Sequence, residues 1–161
     1  MIVISDTSPV LNLSLIGRLD LLVSLYEQVL IPPAVYRELT RSDAGPPLID
    51  RASCAWLVVE PVRDTSRVAQ LRAELDLGEA EAIALALEKR ADLVLVDERL
   101  GRRAARALGL RVTGLLGVLA EARRAGLIER VKPVIEDLRE RAGFWISAEL
   151  VSQVLSDLDE A

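Results

Sequence analysis

The chain has 25 aspartates and glutamates among its 161 residues and no histidine. Imidazole bases, Ser-His-Asp triads and the common zinc sites are therefore excluded, and carboxylates must carry any proton or metal chemistry. In an open α/β sheet, ligands bind outside the carboxyl ends of the strands, so acids that follow apolar runs matter most. Asp6 follows Ile2-Val3-Ile4-Ser5, and Asp97 with Glu98 closes Leu93-Val94-Leu95-Val96. Glu38 lies one and a half turns into a helical stretch after Val29-Leu30-Ile31, while Glu79 and Glu81 follow Gly78 at the start of another.

Singly, each has an ordinary explanation. Asp6 could cap a helix beginning near Ser8, and Asp97 one running to Leu108. Glu79 and Glu81 suit the positive end of a helix macrodipole, and Glu38 could be a solvated helix residue. Together they bring carboxylates from distant segments to one sheet edge. Clustered acids repel one another or take up protons unless a cation neutralises them. Oxygen ligands without His or Cys point to Mg²⁺ or Mn²⁺. One such ion, or a pair about 4 Å apart, lowers the pKa of a bound water and stabilises both oxygens of a phosphodiester displacement. That is nuclease chemistry.

The elements that must hold these acids are legible as apolar runs. Ile2 to Ser5, Val29 to Ile31, Leu57 to Val59, Leu93 to Val96 and Arg111 to Val112 read as short strands, apolar without alternation, as in a parallel sheet covered on both faces. Helical spacing separates them: Leu11, Leu15 and Leu19 share one face, Pro33 opens a helix through Leu39, and Ala82, Leu85 and Ala86 form a third face. Ala104, Ala105 and Leu108 precede a C-capping Gly109. Ser42 to Pro47 (SDAGPP) reads as the clearest loop. After Gly114 the pattern is helical only, over Leu115 to Ala125, Pro133 to Ala142, and Ser147 to Leu158 with Ser147 as N-cap. Leu115, Leu116, Leu119 and Ala122 form one apolar face there, and Val151, Val154, Leu155 and Leu158 another. Strands alternating with helices predict an α/β domain with right-handed crossovers.

Composition narrows the setting. A chain of this length buries roughly two-thirds of its unfolded surface and needs no disulfide staple. The single cysteine, Cys54, sits among apolar neighbours and reads as core in a reduced, cytoplasmic protein. Met1 runs straight into Ile-Val-Ile without a basic segment, so no signal peptide is expected, and no apolar run approaches the roughly 20 residues that span a bilayer. The net charge of −5 argues against a uniformly basic nucleic-acid binder. Yet 18 of the 20 basic residues are arginines, and Arg99, Arg102, Arg103 and Arg106 cluster, which leaves room for a local basic face beside an acidic pocket.

In this order, Asp6-Thr7-Ser8, Pro33-x-x-Tyr36-x-Glu38-Leu39, GEAEAIALA from Gly78 to Ala86, and LVLVDE ending in Asp97-Glu98 resemble a PIN domain. The segment from Gly101 to Ile128 is similar to the PIN-like group related to the VapC toxins of toxin-antitoxin systems. The resemblance covers nearly the whole chain. It implies one domain over residues 1–161, a three-layer α/β/α sandwich around a parallel sheet of about four to five strands, with a helical C-terminal third. It further implies a Mg²⁺- or Mn²⁺-dependent ribonuclease whose catalytic acids are Asp6, Glu38, Glu79 and Asp97. The metal ligands would be Asp6, Asp97 and either Glu79 or Glu81. Residues two apart on a helix point about 200° from each other, so the two glutamates cannot serve equally, and Glu79 is favoured because Gly78 permits close backbone approach. Ser8 would hydrogen-bond within the acidic pocket, Arg99, Arg102 and Arg103 would contact RNA phosphate, and Thr113 would bind a water or the scissile phosphate. The implied partners are RNA, a small antitoxin protein and a second copy in a homodimer. One departure stands out: many VapC toxins carry aspartate at the third acid, where this chain has the longer glutamate.

Overall fold

The computed structural model describes residues 1–41, 49, 50 and 52–160, so the expected loop Ser42 to Pro47 lies outside the described residues. Five short strands form one sheet: β1 (Val3–Ser5), β2 (Val29–Ile31), β3 (Leu57–Val59), β4 (Leu93–Leu95) and β5 (Val112–Thr113). Their order is β3-β2-β1-β4-β5, and every pairing is parallel. The chain thus steps outward from β1 to β3 and then returns to the other side of β1. This leaves a topological switch point between β1 and β4, where Ser5 is in register with Leu95.

The strands are buried on both faces because successive side chains alternate across the sheet. Val3 and Leu95 enter one core, while Ile4 and Val94 enter the other. The larger core is closed by α1 (Thr7–Leu15), α2 (Asp20–Tyr26), α3 (Pro33–Thr40), α7 (Leu115–Arg124), α8 (Lys132–Arg141) and α9 (Ala148–Asp157). The opposite layer is α4 (Thr65–Leu71), α5 (Leu77–Lys89) and α6 (Arg99–Ala107), with Ile83, Leu85 and Ala105 fully buried. The architecture is the three-layer α/β/α sandwich with a parallel five-stranded sheet and a helical C-terminal third.

Local chemistry explains where the expected elements shift. Leu11, Leu15 and Leu19 do not share one buried face: Val10 and Leu13 are the buried pair, and Leu15 is exposed. The helix stops at Gly17 in the left-handed region (φ 69°), with Gly17 N–H donating to Ser14 O and Arg18 N–H to Leu13 O, so Leu19 belongs to the next helix. Thr113 is the last residue of β5 rather than a residue after it. Ser147 caps α9 as expected, its hydroxyl accepting the Leu150 N–H at 3.2 Å. In the C-terminal third, Leu115, Leu119, Ala122, Leu155 and Leu158 are core, while Leu116, Val151 and Val154 are half-buried.

Candidate active site

Parallel pairing carries Asp6 and Asp97 to adjacent strand ends. The Asp6 N–H donates to Leu95 O at 2.9 Å, extending the β1–β4 ladder to the residue whose side chain leaves the sheet. Asp6 stands at the N-cap position of α1, but its carboxylate makes no capping bond. Asp97 does not cap α6 either. Its Oδ1 accepts the Leu115 N–H at 2.7 Å, at the start of α7, and its Oδ2 accepts the Ser8 hydroxyl at 3.0 Å. Ser8 is itself held by buried Asn12, whose Nδ2 donates to the Ser8 hydroxyl and carbonyl, each at 2.9 Å. One carboxylate thus ties together β4, α1 and α7.

The glutamates arrive from two helices. Thr7 donates its hydroxyl to Glu38, which fixes α3 over the start of α1. A Cβ on Gly78 would stand 3.0 Å from Glu38 Oε1 and 3.3 Å from Asp6 Oδ1, so both carboxylates lie against a backbone that only glycine leaves open. The neighbouring Glu79 is buried and closes a capping box. Asp76 Oδ1 accepts the Glu79 N–H at 2.8 Å, and Glu79 Oε2 accepts the Asp76 N–H at 3.3 Å. Glu81 turns elsewhere, its carboxylate accepting the Ala34 N–H at 3.2 Å in the first turn of α3. Among the described residues, no three carboxylates as they stand converge as ligands of one ion.

The field at this edge is negative. Burial pushes the Asp6 carboxyl up to about 7, against the opposing hydrogen bond from Thr7 N–H, and Glu79, Asp76 and Glu38 raise it further. Glu79 is raised chiefly by burial, then by Asp76, with Glu98 and Glu38 adding to it. Asp97 is also raised by burial, although Leu115 N–H, the Ser8 hydroxyl and the Arg102 guanidinium all favour its charged form. An all-oxygen set of acids, with Asp6 and Glu79 buried and neighbouring carboxylates disfavouring their charge, has the donor chemistry of a hard divalent cation site. The thiol of Cys54 takes no part: it lies in the larger core, and burial raises its pKa.

The remaining expected residues line a groove of about 700 Å³ that opens beside Asp97. Arg99 and Arg102 of α6 face it, and Arg102 Nη1 reaches to 3.5 Å from the place a Gly114 Cβ would occupy. The Thr113 hydroxyl fills the space beside Gly117, and both residues line the groove. Arg103 lines an adjoining depression with Asp97 and Arg106. Sequence reasoning missed Asp76, whose D-x-x-E spacing to Glu79 is a capping-box signal, and Asn12, polar at a helix position four residues from Ser8. It also missed Phe144 and Trp145, which line the same groove.

No match was found among curated proteins. A parallel sheet with its acids at the β1–β4 switch point does have a family. The family model described as PIN domain matches residues 2–160, so the chain belongs to the PIN domain family, whose members are generally nucleases.

Proposed function

We propose that this protein is a Mg²⁺- or Mn²⁺-dependent endoribonuclease, a single domain resembling the toxin of a toxin-antitoxin pair. The observation that carries the reading is the approach of Asp6 and Glu38 against Gly78, with Glu79 near enough to raise the Asp6 pKa and Asp97 at the neighbouring strand end. Asp6, Glu79 and Asp97 would hold the ion, and Glu38 would complete the acidic set. When bound, the ion would supply positive charge to the phosphodiester and acidify a water nucleophile. Asn12 and Ser8 orient Asp97, Thr7 orients Glu38, and the Asp76 capping box fixes Glu79. Arg99 and Arg102 would take the flanking phosphates. Among the described residues no helix is long and apolar enough to cross a membrane, and the reading places the protein in the cytoplasm with RNA, a small antitoxin and a second copy as partners.

The two glutamates provide the test. Glu79→Gln is expected to lower cleavage of single-stranded RNA by about 100-fold or more, the order by which removal of one charge-stabilising group slows an enzyme. Glu81→Gln keeps its acceptor for Ala34 N–H and should cleave within a few-fold of the parent. Equal losses in both variants would sink the assignment.

Gly78→Ala checks the close approach independently. The added methyl meets Glu38 and Asp6 carboxylate oxygens, so Mn²⁺ affinity measured by calorimetry should fall about tenfold, a change of about 1.4 kcal/mol. Stability should change by no more than about 1 kcal/mol, the scale of a Gly-to-Ala change in a helix. Undiminished Mn²⁺ affinity would show that these oxygens do not bind the ion.

The absence of a ready three-carboxylate convergence among the described residues favours one second reading, a weakly active or inactive nucleic-acid- or protein-binding PIN-like module. Mn²⁺ binding without turnover of any RNA would support it.

A further inference from the structure

The groove beside Asp97 is lined by two unlike sets of residues. From α6 come Arg99 and Arg102, and the same helix carries Arg103 and Arg106 along the adjoining depression. Among the described residues none of these four arginines makes an ion pair, and Arg102 Nε is buried without a hydrogen-bond partner. The strap between α8 and α9 lines the same groove with Phe144 and Trp145. The chain has only five aromatic residues, so two consecutive ones at the mouth of the acidic site are a concentrated feature.

Trp145 is 83% exposed, far more than a ring of that size needs to be. Its strap is nevertheless held on both sides. Phe144 N–H donates to Leu138 O at 2.9 Å, Ile146 is buried with its carbonyl accepting Arg139 Nη2 at 3.1 Å, and Ser147 caps α9. Alternation along an anchored extended segment turns Ile146 inward and leaves Trp145 facing out. A ring fixed in the open and sharing a groove with the Arg99 and Arg102 guanidiniums is the equipment of a single-strand nucleic-acid groove, where bases stack on aromatic faces and arginines follow the phosphates.

We propose that Trp145 is the stacking platform for an unpaired nucleobase of the substrate strand in the groove beside Asp97. The proposal rests on the ribonuclease reading above and adds to it a base-binding subsite. A base in a duplex is stacked on its neighbours and cannot reach the ring, so pairing of the substrate would remove the contact. Leu116, Leu150 and Val154 add apolar surface to the groove, and the arginines of α6 together with the continuity of the groove with Asp97 favour RNA over a protein partner.

The test compares Trp145→Ala and Trp145→Phe with the parent, using a short single-stranded oligoribonucleotide, its duplex, and a version with one abasic position. Binding is read by fluorescence anisotropy in an Asp6→Asn background, and cleavage in the active protein. Trp145→Ala should weaken single-strand binding about tenfold or more and raise KM, whereas Trp145→Phe should keep most of the affinity. The abasic position nearest the cut should weaken the parent as much as Trp145→Ala does and add little to that variant. The exposure of Trp145 means the variants should melt with the parent. Unchanged affinity and KM in Trp145→Ala, or equal binding of duplex and single strand, would overturn the subsite while leaving the ribonuclease reading intact. If the parent neither binds nor cleaves RNA, both fall. A shift in elution volume on gel filtration with unchanged RNA affinity would assign the ring to a protein contact and overturn the proposal.

Discussion

Asp6→Asn is expected to lower RNA cleavage by about 100-fold or more and, in the absence of divalent ions at pH 7.5, to make the protein more stable than the parent. The stability effect follows from burial. The Asp6 carboxyl titrates near 7 in the fold and near 3.8 when unfolded. Between these values the folded state binds the proton and the unfolded state does not, so stability falls as pH rises from about 4 to about 7. At pH 7.5 a shift of that size corresponds to a destabilisation on the order of 2–4 kcal/mol, which a neutral amide removes. The amide oxygen can still accept the Thr7 N–H. Below pH 4 parent and variant should unfold alike, and thermal unfolding in EDTA at pH 4 and 7.5 measures both halves. Glu79 and Asp97 are raised in the same direction, so the metal-free parent should lose stability with pH more steeply than Asp6 alone requires. A variant no more stable than the parent at pH 7.5 would show that the charge of Asp6 is already compensated in the fold.

Asp97→Ala should have the opposite effect on stability despite the similar position of the two residues. Asp97 satisfies the Leu115 N–H and the Ser8 hydroxyl and sits beside the Arg102 guanidinium. Truncation leaves the first amide of α7 without an acceptor, removes the negative charge that faces the Arg102 guanidinium, and detaches the Ser8–Asn12 pair from β4. Loss of a helix-start hydrogen bond together with a buried unsatisfied donor costs about 1–3 kcal/mol. Asp97→Asn retains an oxygen for Leu115 N–H and should stay within about 1 kcal/mol of the parent. Both substitutions are expected to lower cleavage by about 100-fold or more. Urea denaturation of the two variants separates the roles. If Asp97→Ala is as stable as the parent, its hydrogen bonds do no more than offset the cost of burying its charge.

The contrast between these aspartates marks the boundary of what was legible. Their placement at strand ends is local information: an apolar run followed by an acid and a helix start can be read from a dozen residues. The strands themselves were legible to within a residue, because a parallel sheet covered on both faces demands uninterrupted Val, Ile and Leu. The absence of histidine is a matter of composition alone. None of this told the two acids apart, since hydrogen bonds from Leu115, Ser8 and, through it, Asn12 come from α7 and α1.

The same reasoning applies to the glutamates and to Trp145. Two residues apart on one helix, Glu79 and Glu81 differ by roughly 200° in direction, and only the rotation of α5 against the sheet sends one toward Asp6 and the other to Ala34 N–H. The Leu11, Leu15 and Leu19 expectation failed because an isolated helical spacing does not reveal that Gly17 ends the helix between its second and third members. The residues Phe144 and Trp145 carry no periodic signal. Only the packing of α8 against α1, with α9 in the same core, brings their strap to the groove beside Asp97. Sequence alone determined the sheet, its direction and the acids at its edge, because backbone propensity, burial and charge act over neighbouring residues. Tertiary structure decided which acids are buried unpaired, which are anchored and what faces them, because those interactions join segments distant in the chain.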